Sequence, residues 1–539
     1  MKKNQARVIA LLSTAIFVLA FLISARVWFR LDLTRDKAYT ISEVSRNLYR
    51  EIPDQVMITY FVSERLSLAH PMPGEIADLL REYAAHSHGK IRFAEKDPAK
   101  AELIGVVDGL GILPQQMQVV EKNETTVATV YSGILIEYLD RREVIPVVFS
   151  LDTLEYDLSS RIRSLVRNVE RELGVIVGDA NKQWGSDYGY LYQELVLAGF
   201  KIRLIAPGED IPAMLPALFV LGGAEDLDED RLFGIDRYIT GGGNVFFATD
   251  GVFVDTSGSL DARPMRDKGL LAMLANYGVV VRQALVLDRT ALNLTFRAQT
   301  GNSTIIRSIR YPEWIGVQDQ RGNPNHLLTK RFGGLDLYWA SPLELSPPPG
   351  INAEILFSST EGSWLQEKNF ITNPNMVSQF ENEAARTTGA KILGAALSGI
   401  FPGFINEHSS PETIDDHGRP PPQTKPSRII VVGDTEFAST FMQVSRGETR
   451  NLDFLIKAAE WLSSDDDMLS IRGRENTAGR LDRIMDRDER YAAMSLSRTF
   501  NTIFIPLLVI SAGVLIVWRR AGKQGRITSK PVKERSDDL

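Results

Sequence analysis

The chain has 539 residues and no cysteine, with 44% apolar and 24% charged side chains. That length implies three to four domains at roughly 150 residues each. The composition excludes both a disordered chain and a polytopic membrane protein, and zero cysteine excludes disulfides, iron–sulfur clusters, thiolate zinc sites and cysteine nucleophiles.

Residues 8–29 form an apolar run with one charge, Arg26, near its far end. A bilayer core needs about 20 such residues, whereas the apolar part of a signal peptide usually has about 7–15. The run closes on Arg26, Trp28, Phe29 and Arg30, an interfacial anchor pattern, so it is expected to be an uncleaved transmembrane helix. Residues 500–518 form a second uncharged run, in which Pro506 is tolerable inside a membrane. Residues 1–7 carry +3 and residues 519–539 carry +4, so both termini are expected in the cytoplasm, with residues 30–499 periplasmic or extracellular. The expected location is therefore the cytoplasmic membrane. The net charge of the whole chain is −7, so the part between the two charged ends sums to −14. Such a body does not suit nucleic acid, because phosphate neutralisation needs clustered Lys and Arg.

The body reads as α/β. Within residues 30–150, a strand at 56–62, an amphipathic helix at 73–85 and a strand at 90–95 are followed by strand-like runs at 118–120, 130–138 and 144–149. The order resembles a thioredoxin-like module, redox-inert because it has no CxxC, with a generic α/β sandwich as the alternative. An amphipathic helix is expected over 157–172. From there the pattern over 151–255 is doubly wound: strands at 173–177, 201–205, 217–221 and 244–248, helices at 190–198 and 228–239. Residues 427–432 read as one more strand of the same sheet and 451–462 as the helix after it, within a returning segment 427–474. Between them, 256–426 reads as an inserted segment with a mobile loop near 406–425. Residues 475–499 read as a charged helical stalk.

Candidate chemistry is sparse. The chain has no P-loop, no G-x-G-x-x-G and no G-x-S-x-G. Gly241–Gly243 follows a helix and precedes a strand, the reverse of a dinucleotide loop, and reads as a helix-ending turn. Asp226, Asp228 and Asp230 read as the acidic first turn of a helix rather than a calcium loop. His86 and His88 read as a surface loop. Four strand ends carry Gly178-Asp179, Gly222-Gly223, Thr249-Asp250 and Gly433-Asp434, at the carboxyl edge where open α/β sheets bind ligands. Asp179, Gly222, Gly223, Asp250 and Asp434 are thus a candidate ligand or partner surface. Backbone amides there would hold an anion, and the aspartates a hydroxyl or a metal; ordinary strand-end turns are the alternative. No catalytic, cofactor-binding or metal residue is assigned.

Arg30-Leu31-Asp32-Leu33-Thr34, followed by Tyr39-Thr40-Ile41-Ser42 directly after the first apolar run, resembles the GldG-like auxiliary components of bacterial ABC transport systems, the gliding-motility type. Leu154-Glu155-Tyr156-Asp157, Ile235-Asp236-Arg237-Tyr238-Ile239, Val432-Gly433-Asp434 and Ile471-Arg472-Gly473-Arg474 extend the resemblance in order along the whole chain. It implies a GIFT-like, glutamine-amidotransferase-like α/β module, without that activity because the cysteine nucleophile is missing. It further implies a non-enzymatic accessory subunit, without cofactor, whose partners are an ABC permease and an ABC ATPase, with another copy of itself or a paralogous subunit as a further candidate. The alternative is a stand-alone envelope enzyme or carbohydrate-binding protein that uses the strand-end aspartates Asp179, Asp250 and Asp434.

Overall fold

The computed structural model describes residues 41–463, save 101, 122–123, 152, 169, 257, 301–302, 331, 377–387, 405–424 and 446–447, together with Met468, Ile471 and Ser511. The two apolar runs at 8–29 and 500–518 (Ser511 apart), the stalk at 475–499 and the basic tails lie outside the described residues, as does most of the loop near 406–425. Among the described residues no helix is long and apolar enough to cross a membrane.

Residues 41–167 build the N-terminal module. Helix α1 (Glu43–Glu51) starts at Ser42, whose side chain accepts from the Ser45 amide. Strand β1 (Val56–Val62), helix α2 (Met72–His86) and strand β2 (Ile91–Lys96) form a βαβ unit with β1 and β2 parallel. Strands β3 (Ser132–Tyr138) and β4 (Arg141–Ile145) follow as an antiparallel hairpin, giving the sheet order β2-β1-β3-β4. A ribbon of Gln115–Glu121 and Glu124–Val130 stands apart as its own two-stranded sheet. Helix α3 (Leu154–Arg167) closes the module by packing Leu154, Leu158, Ile162 and Leu165 into its core. The sequence expectation carried this helix to residue 172; the chain instead leaves it at Asn168, which sits at φ 56° as a left-handed cap. The strand expected over 144–149 runs earlier, over 141–145, and pairs with β3.

The second module is a nine-stranded sheet. Its parallel part comprises β5 (Glu172–Val177), helix α4 (Gly189–Leu197), β6 (Lys201–Leu204), β7 (Ala217–Leu221), helix α5 (Glu229–Thr240) and β8 (Asn244–Ala248). Helix α6 (Leu270–Tyr277) leads to β9 (Val279–Val281), β10 (Leu343–Leu345), β11 (Ile351–Ser358) and β12 (Ile392–Gly399). Strand β13 (Ser427–Val432) then returns beside β8, parallel to it, and α7 (Glu448–Ser463) follows. The order is β9-β10-β12-β13-β8-β7-β5-β6, with β11 on β12. Part of the segment 256–426 thus joins this sheet, in antiparallel fashion through β12 on β13, while Leu285–Leu287 with Trp364–Gln366, and Ala291–Thr300 with Ser303–Val317 and Leu335–Tyr338, form two separate sheets.

Both faces of the central strands are buried, as near-continuous apolar strands require. Ala217, Phe219 and Leu221 of β7 share one core with Leu191 and Leu195 of α4 and with Leu455 and Ala458 of α7. Leu218 and Val220 share the other with Leu232, Ile235 and Ile239 of α5. Alternate residues of one strand thus enter different cores, so helices must cover both sides.

The winding fixes one location. From β5 the chain crosses to β6 on one side, then returns to β7 on the other side of β5. The loops leaving β5 and β7 consequently diverge to opposite faces and leave a crevice between them, the topological switch point of an open sheet.

Candidate functional site

A cleft of about 570 Å³ lies at that switch point. Its lining comes from the loops after β5, β7, β8 and β13, and from Tyr338 and Trp339 of the segment 256–426. Of the residues anticipated from sequence, Asp179, Gly222, Gly223 and Asp250 line it, and Asp434 does not.

Gly222 and Gly223 serve the backbone. Their φ angles are 76° and 107°, the left-handed region that favours glycine. The loops after β5 and β7 touch here, because a Cβ on Gly178 would meet Gly223 Cα at 2.7 Å. The Gly222 amide donates to Ala248 O at 2.8 Å and the Gly178 amide to Leu221 O at 2.8 Å. Of the amides expected to hold an anion, those of Gly178 and Gly222 are thus engaged within the fold.

Asp434 is a structural carboxylate, fully buried. One of its oxygens accepts from the Tyr338 amide at 2.6 Å. The other accepts from the amides of Glu436 at 2.7 Å and Phe437 at 3.3 Å, which fixes the turn after β13. Burial, with the nearby charge of Asp250, holds its pKa well above the usual carboxylate range.

Asp250 is half-buried and faces the cleft. Its Oδ1 accepts from the Thr435 amide at 3.0 Å. Burial pushes its pKa up to about 6, against the lowering effect of the Thr435 hydrogen bonds. At the rim, Asp179 Oδ1 accepts from the Asn181 amide at 2.9 Å and Asp226 Oδ2 from the Ala180 amide at 3.0 Å. The three aspartates before α5 therefore divide their work. Asp228 caps the helix through the Arg231 amide at 2.9 Å, Asp230 lies in the first turn, and Asp226 faces the cleft.

Sequence reading missed the cations and the aromatic wall. Lys182 Nζ lies 2.7 Å from Glu436 Oε1 and 6.0 Å from the ring centre of Tyr188. Burial opposes its charge most strongly, but Glu436, Asp250 and Asp179 together outweigh it and raise the Lys182 pKa. Arg263 holds Glu225 with both guanidinium nitrogens, Nη2–Oε2 at 2.8 Å, and lies over Phe253 at 4.3 Å. That pairing lowers the Glu225 pKa. Trp339 adopts φ 54°, uncommon for a bulky side chain, and donates its amide to Glu313 O at 2.9 Å. The loop after β5 is short enough to have implicated Lys182 from sequence. Nothing local to Trp339 reveals that it returns to a sheet edge built some 90 residues earlier.

The chemistry of this lining is narrow. Among its described residues there is no Ser, His or Cys, hence no hydroxyl or thiol paired with an imidazole. Among the described residues no group of three metal-ligating side chains is gathered.

Residues 170–458, just over half the chain, match a family model described as an ABC-type uncharacterized transport system, an auxiliary-component model. Residues 35–137 match a domain of unknown function (DUF7088). An uncharacterized protein of Borreliella burgdorferi is 26% identical over 531 residues, covering 96% of this chain and 99% of that protein. Among solved structures, the mmIFT52 N-terminal domain aligns over 55% of this chain and 98% of its own, at 13% identity and a TM-score of 0.32. The exo-β-1,4-mannosidase Op5Man5 from Opitutaceae bacterium strain TAV5 aligns over 74% and 51%, at 10% identity and a TM-score of 0.24. At these scores neither structure bears on the fold or the function.

Proposed function

The chain belongs to the ABC-transport auxiliary family, and from that premise we propose that it is a non-enzymatic, membrane-anchored accessory subunit working beside a separate permease and a separate ATPase. The observation that carries this reading is the extent of the family match, which takes in the nine-stranded module from β5 into α7. The sequence has no P-loop, so ATP hydrolysis by that route falls to another chain. The apolar runs at 8–29 and 500–518, with their basic outer flanks, support two spans in the inner membrane, both termini cytoplasmic and the body on the far side. Two spans are too few to enclose a pore, which supports a role in binding, gating or scaffolding for the permease. The ordered motifs from Arg30 to Arg474 support the finer assignment to the GldG-like branch with a GIFT-like module.

The experiment is purification of the full-length protein in mild detergent from its own host, with mass spectrometry of what accompanies it. A permease and an ATPase in fixed ratio are the expected result. A protein that stays alone across several detergents overturns the reading.

A stand-alone envelope enzyme or carbohydrate-binding protein is the second reading. Asp179 and Asp250 do share one cleft, which favours it. Asp434 counts against it, since both its oxygens are engaged by backbone amides.

A further inference from the structure

We propose that a second cavity, at the amino ends of β8 and β13, binds a small uncharged polyhydroxylated ligand, a mono- or disaccharide, against Glu354, Ser398, Arg428 and His326. It shares no residue with the switch-point cleft, and the inference rests neither on the accessory-subunit reading nor on the strand-end aspartates.

The sheet builds the floor. On the face covered by α7, Phe246 of β8, Ile430 of β13 and Ala396 of β12 enter one core. Two residues further out on each strand, on the same face, the side chains turn polar: Asn244, Arg428 and Ser398. Ser398 lies opposite Arg428 across one strand pair, and Glu354 of β11 lies opposite Ala396 across the next. Asn244 is structural, accepting from the Arg428 amide at 2.8 Å and donating to Leu462 O at 2.7 Å. Arg428 donates from Nη1 to Trp461 O at 2.9 Å and lies 5.1 Å from that ring, which fixes the cation at the floor. The volume, about 780 Å³, is that of a small-molecule site.

A separate observation points to a ligand. The loop 318–334 borders the cavity and is tied to β11 by Asn323, whose backbone amide donates to Leu356 O at 2.8 Å and whose side chain donates to Ile355 O at 3.1 Å. His326 on this loop is only 7% exposed, with its ring centre 5.3 Å from that of Trp461. Its Nδ1 accepts from the Leu328 amide at 3.3 Å, which puts the proton of the neutral ring on Nε2. Nε2 has no partner within the described structure, and the ring lines the cavity, so this N–H is a donor presented to it. Burial lowers the imidazole pKa, which keeps the donor neutral. A buried donor without an acceptor costs free energy that a bound ligand oxygen recovers.

The mixture of groups selects the class. Among the described lining residues one carboxylate, Glu354, stands against one guanidinium, Arg428, so there is no net charge to concentrate an ion of either sign. Glu354 uses Oε1 to accept from the Asn352 side chain at 3.0 Å, and Oε2 remains to accept from a ligand. Imidazole N–H donates, carboxylate accepts, and the Ser398 hydroxyl and Asn325 side-chain amide do both. A ligand hydroxyl accepts from one of these groups while it donates to another. An ammonium only donates and a carboxylate only accepts, so each would leave part of this surface unpaired.

The test is saturation-transfer NMR of the full-length protein in a polyoxyethylene detergent, which carries no sugar headgroup. Glucose, cellobiose and N-acetylglucosamine are the probes, with agmatine and glutamate as the cationic and anionic comparisons. Saturable transfer to at least one of the three sugars is expected, insensitive to added salt. His326→Phe keeps a ring against Trp461 and removes the N–H, and should weaken binding at least about tenfold. The Glu354→Gln/Ser398→Ala double variant should weaken it by a similar factor. Both of its sites are half-buried at the sheet's edge, so it carries the test if His326→Phe does not fold. Absence of transfer to all three sugars by a cooperatively unfolding wild-type sample overturns the proposal. Binding indifferent to these variants, or stronger for agmatine or glutamate, does the same. Co-purification with a permease is read separately, so failure of either conclusion leaves the other standing.

Discussion

Arg161, on the helix that closes the N-terminal module, donates from Nη2 to the backbone oxygen of Leu197, at the end of α4 in the neighbouring module, at 3.2 Å. Nη1 donates to Ala198 O at 3.3 Å and Nε reaches Val144 O on β4 at 3.4 Å. One side chain, 2% exposed, therefore joins the last carbonyls of α4 to an edge strand of the first module. A cation at a helix C-terminus satisfies carbonyls that have no intrahelical donor and opposes the helix dipole. Gly199, at φ 87°, makes room, since a Cβ there would lie 2.9 Å from Nη1.

Arg161→Ala should therefore destabilise the protein by about 3 kcal/mol, leaving buried carbonyls without donors and a void where the stem was. It should also let the two modules unfold separately. Calorimetry is expected to show one transition becoming two. A single transition at an unchanged midpoint would show that the contact is incidental.

Asp434 and Asp250 lie on adjacent strand ends, yet their substitutions should differ. Asp434→Ala strips acceptors from three backbone amides in a fully buried turn, and a loss of about 2–4 kcal/mol is expected. Asp250→Asn retains an oxygen for the Thr435 amide and removes a half-buried charge, so its effect on stability should stay within about 1 kcal/mol. Denaturant midpoints compare the two directly; equal losses would contradict the assignment of Asp434 as the structural member.

The close passage of two loops beneath the cleft gives a third test. A methyl group on Gly178 would meet backbone atoms of Gly222 and Gly223 at 2.7–2.8 Å, with no flexible side chain to yield. Gly178→Ala should cost roughly 2 kcal/mol or more through strain. Gly185→Ala, in the same loop with nothing within 4 Å, should be nearly silent. Urea unfolding of the pair separates a steric constraint from a general sensitivity of the loop.

Much of this frame is local and was legible. Strands 56–62, 217–221, 244–248 and 427–432 declare themselves by β-branched and aromatic runs, and the returning strand shares the composition of its partner. Asp228 announces its helix as a cap. What escaped reading is long-range. That β12 pairs antiparallel to β13, and so extends the sheet, is decided by register between residues 394–399 and 427–432, not by either segment's own pattern. Trp339 reaches the cleft by the same route. Asp434 and Asp250 look alike in sequence, each the aspartate after a strand. Only the three amides that converge on Asp434 separate their roles. The end of α3 at Asn168 was missed because apolar residues at helical spacing continue past a left-handed cap.

Glu313 offers the sharpest pH test. Its side chain is fully buried beside Tyr311 and Trp339, whose polar groups lower its pKa by less than burial raises it. Burial pushes its pKa from an ordinary 4.5 up to about 8. Between those values the folded protein keeps a proton that the unfolded chain has released. The native state thus binds more protons, and stability falls as pH rises across that window, reaching its full loss above about 8. Glu313→Gln, close in shape and uncharged throughout, removes this dependence. The variant and the wild type should melt within a degree or so of each other at about pH 5. Above the upper pKa the variant should be more stable by on the order of 1–3 kcal/mol. Thermal scans of both proteins at the two extremes decide it. Parallel curves across the range would mean that Glu313 ionises as an ordinary carboxylate and that its surroundings are wetter than the packing of Tyr311, Trp314 and Trp339 allows.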